Sequence, residues 1–187
     1  MSHTFLIHGV IRLGAEMAVD QALDDDARLV GKLYDEYAGP VFNYIWRLVN
    51  DRDLAEELTQ ETFTRVLASR ERLSEVVNRR AWVYRVATNT CFRALRRRNR
   101  FAWLPWDVLI SDDRRDPAEE VSQRNLVEEA LRALQPEYRA PLLLYLRDGF
   151  TLAEVAEALG ISEGAVKTRI YRARELFRRA YAREKAP

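Results

Sequence analysis

One stretch constrains the fold more than any other: residues 151–174, which read Thr-Leu-Ala-Glu-Val-Ala-Glu-Ala-Leu-Gly-Ile-Ser-Glu-Gly-Ala-Val-Lys-Thr-Arg-Ile-Tyr-Arg-Ala-Arg. Thr151 followed at the third position by Glu154 is a capping box, in which hydroxyl and carboxylate each satisfy an orphan amide at a helix start. Leu152, Val155, Ala156 and Leu159 then fall on one apolar stripe, and Gly160 supplies the backbone freedom that a helix end requires. Ser162 is a good N-cap for a second helix, with Glu163 beside its positive dipole end. On that helix Ala165, Val166, Ile170, Ala173 and Phe177 can face inward. Lys167, Thr168, Arg169, Tyr171, Arg172 and Arg174 are left outward. Two short helices around a tight turn, the second of them basic, form a unit that fits a DNA major groove. The earlier basic residues would then meet base edges, and the later ones phosphates.

The whole chain does not look basic, since its formal net charge is only +1. The charge is instead uneven. Between residues 79 and 100 every ionised side chain is an arginine, at 79, 80, 85, 93, 96, 97, 98 and 100. A second basic run covers 167–185, and acidic blocks occupy 24–26, 51–61 and 107–120. Unrelieved arginine on one helix repels itself unless a polyanion or an acidic partner neutralises it. The same segment carries Trp82, Tyr84 and Phe92, and Phe101, Trp103 and Trp106 follow. Cations beside aromatic faces suit single-stranded or melted DNA better than an intact duplex.

Helical periodicity opens near Ala27, with Val30, Leu33, Tyr34 and Tyr37 on one side. Gly39-Pro40 is expected to interrupt it, Pro40 restarting a helix that buries Val41, Phe42, Ile45, Trp46 and Val49. Beyond Asn50-Asp51-Arg52 an amphipathic segment runs to about Arg70, its inward set Leu58, Val66 and Leu67 with Leu54 and Phe63 near the edges. The arginine segment places Val83, Val86, Ala87, Thr90, Cys91, Ala94 and Leu95 at helical spacing. Residues 101–120 lose the period and read as a flexible linker. Periodicity resumes at Ala118, pauses at Gln135-Pro136 and continues to the helix-turn-helix. No strand pattern appears. The expected fold is all-α, with two helical domains over 27–100 and 121–187 and an N-terminal extension over 1–26. Met17 offers a second start, so residues 1–16 are expected to be a dispensable or a misassigned extension.

Several function classes lose their support. Cys91 is the only cysteine, which rules out an internal disulfide, and His3 and His8 lie far from it in sequence, so no metal site or cofactor is expected. No apolar run approaches the roughly 20 residues of a membrane span, and residues 5–13 lack the marks of a signal peptide, which makes a cytoplasmic protein the expectation. The acidic segment 55–63, Ala-Glu-Glu-Leu-Thr-Gln-Glu-Thr-Phe, sets Glu57 and Glu61 one turn apart, and Glu56 and Gln60 likewise. It lacks any neighbouring histidine, metal ligand or glycine-rich phosphate loop, so no enzyme and no small-molecule substrate are expected. A face of this kind can dock a basic protein surface, with Phe63 exposed beside it, although taken alone it is more often an ordinary solvated face.

Taken in order, these segments resemble the extracytoplasmic-function (ECF) sigma factors of bacterial RNA polymerase, which consist of sigma domains 2 and 4 joined by a linker. The resemblance runs from about Ala27 to Arg183. It implies that Glu56, Glu57, Gln60, Glu61 and Phe63 bind the β′ clamp helices of core polymerase. Arg80-Ala-Trp-Val-Tyr-Arg-Val-Ala-Thr-Asn-Thr at 80–90 resembles the part that melts the minus-ten element and captures a flipped base, with Asn89 at the pocket and a specificity loop over about 74–78. Arg80, Trp82, Tyr84, Asn89, Arg93, Arg96, Arg97 and Arg98 are the minus-ten residues so implied. Arg93 and Leu54 stand where many members have aspartate. Residues 134–174 resemble region 4, which assigns Lys167, Thr168, Arg169, Tyr171, Arg172 and Arg174 to the minus-thirty-five element. The resemblance further implies docking on the β flap, promoter DNA as ligand and an anti-sigma factor as regulator. A stand-alone helix-turn-helix regulator and a helical adaptor that binds only proteins are the rival readings; the first leaves the acidic face without a purpose, the second the basic recognition helix.

Overall fold

A computed structural model describes residues 28–70, 73, 75–101 and 123–185. These form seven helices, and among the described residues there is no strand. Helix α1 covers 28–49, α2 Arg52–Ala68, α3 Arg79–Phe101, α4 Gln123–Arg132, α5 Pro136–Leu146, α6 Leu152–Leu159 and α7 Glu163–Lys185. The linker expected over 101–120 falls almost wholly outside the described residues, as do Trp103, Trp106, His3 and His8.

The predicted break at Gly39-Pro40 does not occur: α1 runs through it. Proline inside a helix removes one backbone hydrogen bond and crowds the preceding turn. Here Gly39 and Pro40 face solvent, while Val30, Leu33, Val41, Tyr44, Ile45 and Leu48, from both sides of the break, enter one core. Continuous burial outweighs the local cost. The helix stops at Asn50, whose φ of 56° is left-handed, a conformation that asparagine tolerates better than most residues. Asp51 immediately caps α2 by accepting from the Leu54 amide at 3.0 Å. On α2 the buried stripe is Ala55, Leu58, Thr62, Phe63 and Val66. Leu67, expected inward, is 44% exposed because it falls one residue off that stripe.

In the helix-turn-helix the local chemistry matches its sequence. The Thr151 and Glu154 capping box forms in both directions, and Gly160 ends α6 at φ 65°. Ser162 Oγ accepts from the Ala165 amide at 3.2 Å to start α7. Pro136 stands in the first turn of α5 after an extended Gln135. The buried hydrophobic residues of α1, α2 and α3 are continuous with those of α5, α6 and α7. Helix α3 therefore lies between α2 on one side and α6 on the other.

Candidate docking and nucleic-acid surfaces

On α2, Glu56, Glu57 and Gln60 are exposed and Glu61 is half-buried, on the side of the helix away from its buried stripe. Glu56 pairs with Arg52 at 3.4 Å and Glu61 with Arg65 at 2.7 Å. Both pairs are surface i, i+4 contacts that contribute little to stability. Phe63, expected to be exposed beside them, is a correction. It is 6% exposed and meets the Tyr34 ring edge-on, centroids 4.9 Å apart. Its place in the stripe one residue after Thr62 draws it under the face instead of onto it.

Helix α3 divides its predicted residues between two faces. Asn89, Arg93 and Arg96 are exposed, with Trp82 half-buried among them; at 100° per residue they share one side. Arg85, one turn before Asn89, joins them, and its spacing of four and eight residues from Asn89 and Arg93 was the signal that points to it. Arg97, one turn after Arg93, continues this side, whereas Arg98 is exposed off it and pairs with Asp51 at 3.3 Å. Tyr84 corrects the expectation of a DNA-contacting ring: it is 1% exposed, between Tyr44 and Phe150 at 5.3 and 4.9 Å. Burial, with the negative Asp148 nearby, pushes its hydroxyl well above the ordinary phenol range. Arg80 shares that inner side. Its guanidinium lies 4.0 Å from the Phe150 ring centroid and donates to the Asp148 carbonyl.

Helix α7 presents its predicted residues more simply. Lys167, Thr168, Tyr171 and Arg172 are exposed and Arg169 is half-buried at their margin. Val166, Ile170 and Ala173 are buried behind them.

The family model for sigma-70 region 2 matches residues 33–101, and that for sigma-70 region 4 matches 124–177. The ECF RNA polymerase sigma factor SigL of Mycobacterium tuberculosis is 32% identical over 157 residues, 82% of this chain and 89% of that one. The corresponding SigE of Mycolicibacterium smegmatis is 31% identical over 172 residues, covering 86% of this chain and 65% of that longer relative. The chain belongs to the ECF sigma factors of RNA polymerase. Its function is the family's, that of the promoter-specificity subunit in transcription initiation. The fold agrees with the solved structure of the sigma factor RpoE in complex with the anti-sigma factor NepR from Bartonella quintana, with a TM-score of 0.67 at 22% identity, covering 80% of this chain and 94% of that one.

This sigma factor also contains a groove of roughly 410 Å³ between α4, α5 and α7 that sequence reasoning missed. Leu131, Leu142, Leu146 and Phe177 supply apolar walls, and Arg147, Arg174 and Arg178 form a basic rim. Arg174, expected on the DNA-reading face, therefore borders the groove. Val127 and Leu146 line it while 39% and 57% exposed. Arg139 was missed as well, and it is the most constrained charge among the described residues. At 6% exposure its guanidinium donates to the carbonyls of Arg47 and Leu48 at 3.1 and 3.2 Å and to that of Leu134 at 2.6 Å. These carbonyls end α1 and follow α4, where helix dipoles leave partial negative charge. Burial lowers the Arg139 pKa to about 10, still charged at neutral pH. Cys91 is fully buried and burial raises its thiol pKa, leaving a packed, unreactive group. No helix among the described residues is long and apolar enough to cross a membrane.

Proposed function

We propose that this sigma factor divides its work among three surfaces. The α2 residues Glu56, Glu57, Gln60 and Glu61 dock on the β′ clamp helices of core polymerase. The α7 residues Lys167, Thr168, Arg169, Tyr171 and Arg172 read the minus-thirty-five element in the major groove. The outer side of α3, with Arg85, Asn89, Arg93 and Arg96 beside Trp82, holds the separated minus-ten strand by phosphate contact and stacking. Domain 2 spans 27–100 and domain 4 spans 121–187, with 101–120 between them. The apolar groove of domain 4 takes a helix of a protein partner, the β flap or an anti-sigma factor of the kind that holds RpoE. The chain acts by binding alone, without catalysis, in the cytoplasm.

The observation that carries this reading is the separation of charge: an acidic face on α2, and basic faces on α3 and α7. A protein that needs to hold polymerase and DNA together requires both signs on different surfaces. Run-off transcription with bacterial core polymerase on a pool of upstream genomic fragments tests it. Discrete new starts preceded by a shared two-block element are expected, and Glu57→Lys with Gln60→Ala abolishes them. Specific duplex binding without any initiation by a competent core enzyme would instead make it a stand-alone regulator.

A further inference from the structure

The groove between α4, α5 and α7 is built from two kinds of side chain only. Apart from its apolar walls the lining is wholly ionic, with Arg47, Arg147, Arg174 and Arg178 against the single carboxylate of Glu128. The four arginines are not equivalent. Arg47 pairs with Glu128 at 3.1 Å, Arg178 with Glu175 at 2.9 Å, and Arg147 stands 3.9 Å from Asp148. Arg174 is exposed and pairs with no acid among the described residues. It lies one turn before Phe177 and Arg178 on α7, so a cation borders an aromatic wall on the same side of the helix. The volume of roughly 410 Å³ falls in the range of small-ligand sites. An occupant that answers all of this is apolar over most of its length and negative at one end. A neutral chain leaves the cationic rim unanswered, a nucleotide leaves the leucines without apolar contact, and a cation is repelled.

We propose that this groove binds the carboxylate form of a free single-chain fatty acid, with the chain along Leu131, Leu142, Leu146 and Phe177 and the head group on Arg174. A guanidinium takes a carboxylate through two parallel N–H···O bonds, which fixes the orientation of the chain. The ligand thereby excludes a partner helix from the same walls. Exclusion rests on the reading above of the groove as a docking site for a protein helix, whereas ligand binding does not. Free ligand at ten times its Kd lowers the apparent affinity for the helix about tenfold.

The full chain is titrated by isothermal calorimetry with decanoate below its micellar range, and with decanol and decyltrimethylammonium as neutral and cationic chains of the same length. Backbone amide NMR shifts locate the site. Saturable decanoate binding that moves amides of α4, α5 and α7 is expected, with decanol about tenfold weaker for want of the charge-assisted pair and no saturable binding of the cation. Arg174→Gln brings decanoate down to the level of decanol and leaves decanol unchanged. Leu146→Asp, at an exposed position, sets a carboxylate in the wall and weakens decanoate about tenfold or more; if it fails to fold, Arg174→Gln on the surface still decides. Equal binding of all three chains overturns the site, as do shifts confined to other helices or binding to phosphatidylglycerol vesicles without binding of free decanoate. Run-off transcription with core polymerase is measured in parallel. Start sites lost with decanoate and kept with decanol support exclusion, and unchanged transcription at saturating decanoate overturns it. Failure of transcription without any ligand overturns the polymerase reading, while calorimetry and shifts still decide the site.

Discussion

Helices α3 and α7 are both 23 residues long and both basic, yet they are used differently. Helix α7 buries a narrow stripe of Val166, Ile170 and Ala173 and turns Lys167, Thr168, Tyr171 and Arg172 to solvent. Helix α3 buries Ala81, Val83, Tyr84, Ala87, Thr88, Thr90 and Cys91, about half its circumference. The contrast comes from neighbours: α7 packs on α4, α5 and α6 along its buried stripe, whereas α3 is packed between α2 and α6. Charge and aromatic content alone do not reveal which face of a helix is available; the elements that cover it decide.

The largest effect is expected at the buried cation that joins the two regions. Arg139→Ala leaves the Leu48 and Leu134 carbonyls without their charged donor, and the loss is about 3 kcal/mol in urea unfolding. Arg139→Lys recovers little of it, since one ammonium cannot reach both helix ends as the planar guanidinium does.

The accessible and covered arginines separate next. Lys167→Ala or Arg172→Ala weakens duplex binding by about 1–3 kcal/mol where it reads a base, or lowers the salt slope by about one where it meets a phosphate. Arg80→Ala leaves the free chain's duplex binding unchanged in an anisotropy titration, because its guanidinium is already engaged on Phe150. Equal losses for Arg80 and Arg172 would break the comparison.

A smaller effect tests the covered side itself. The buried Tyr44 hydroxyl meets Thr88 Oγ1 at 2.8 Å, and Thr88 in turn donates to the Tyr84 carbonyl. Tyr44→Phe costs about 1 kcal/mol in chemical denaturation.

The smallest belongs to the cap of α6. Hydrogen bonds from Thr151, first its backbone amide and then its hydroxyl, hold the Glu154 carboxyl below its ordinary value. A depressed folded pKa means a contribution present above the unfolded carboxylate pKa and lost as pH falls through the folded one. Glu154→Gln is therefore expected to cost about 0.5 kcal/mol at neutral pH, and the difference from wild type narrows in urea titrations below the carboxylate range.

Much of the fold was legible because its signals are local. The capping box at Thr151, the left-handed end at Gly160 and the N-cap at Ser162 depend on groups within a few residues of one another, and each forms as expected. Gly39-Pro40 was legible too, but its local message was overridden by the apolar residues on either side. Phe63, Leu67 and Tyr84 were misread for one reason: on a helix with apolar residues around much of its surface, spacing admits more than one inward face. The exposed basic face of α7 was legible because it stands opposite a single clear stripe, and the acidic face of α2 because its charged residues are close together in sequence.

The amino-acid sequence by itself determined the all-helical character, the helix-turn-helix, the segregation of acidic from basic surfaces and the family, since these depend on residue type, spacing and order along the chain. Only the tertiary structure decided that Phe150 covers Tyr84, that Arg139 joins two helix ends, and that an apolar groove opens between α4, α5 and α7. Those contacts join residues dozens of positions apart, and burial is fixed by what lies across the space between helices, which no local pattern records.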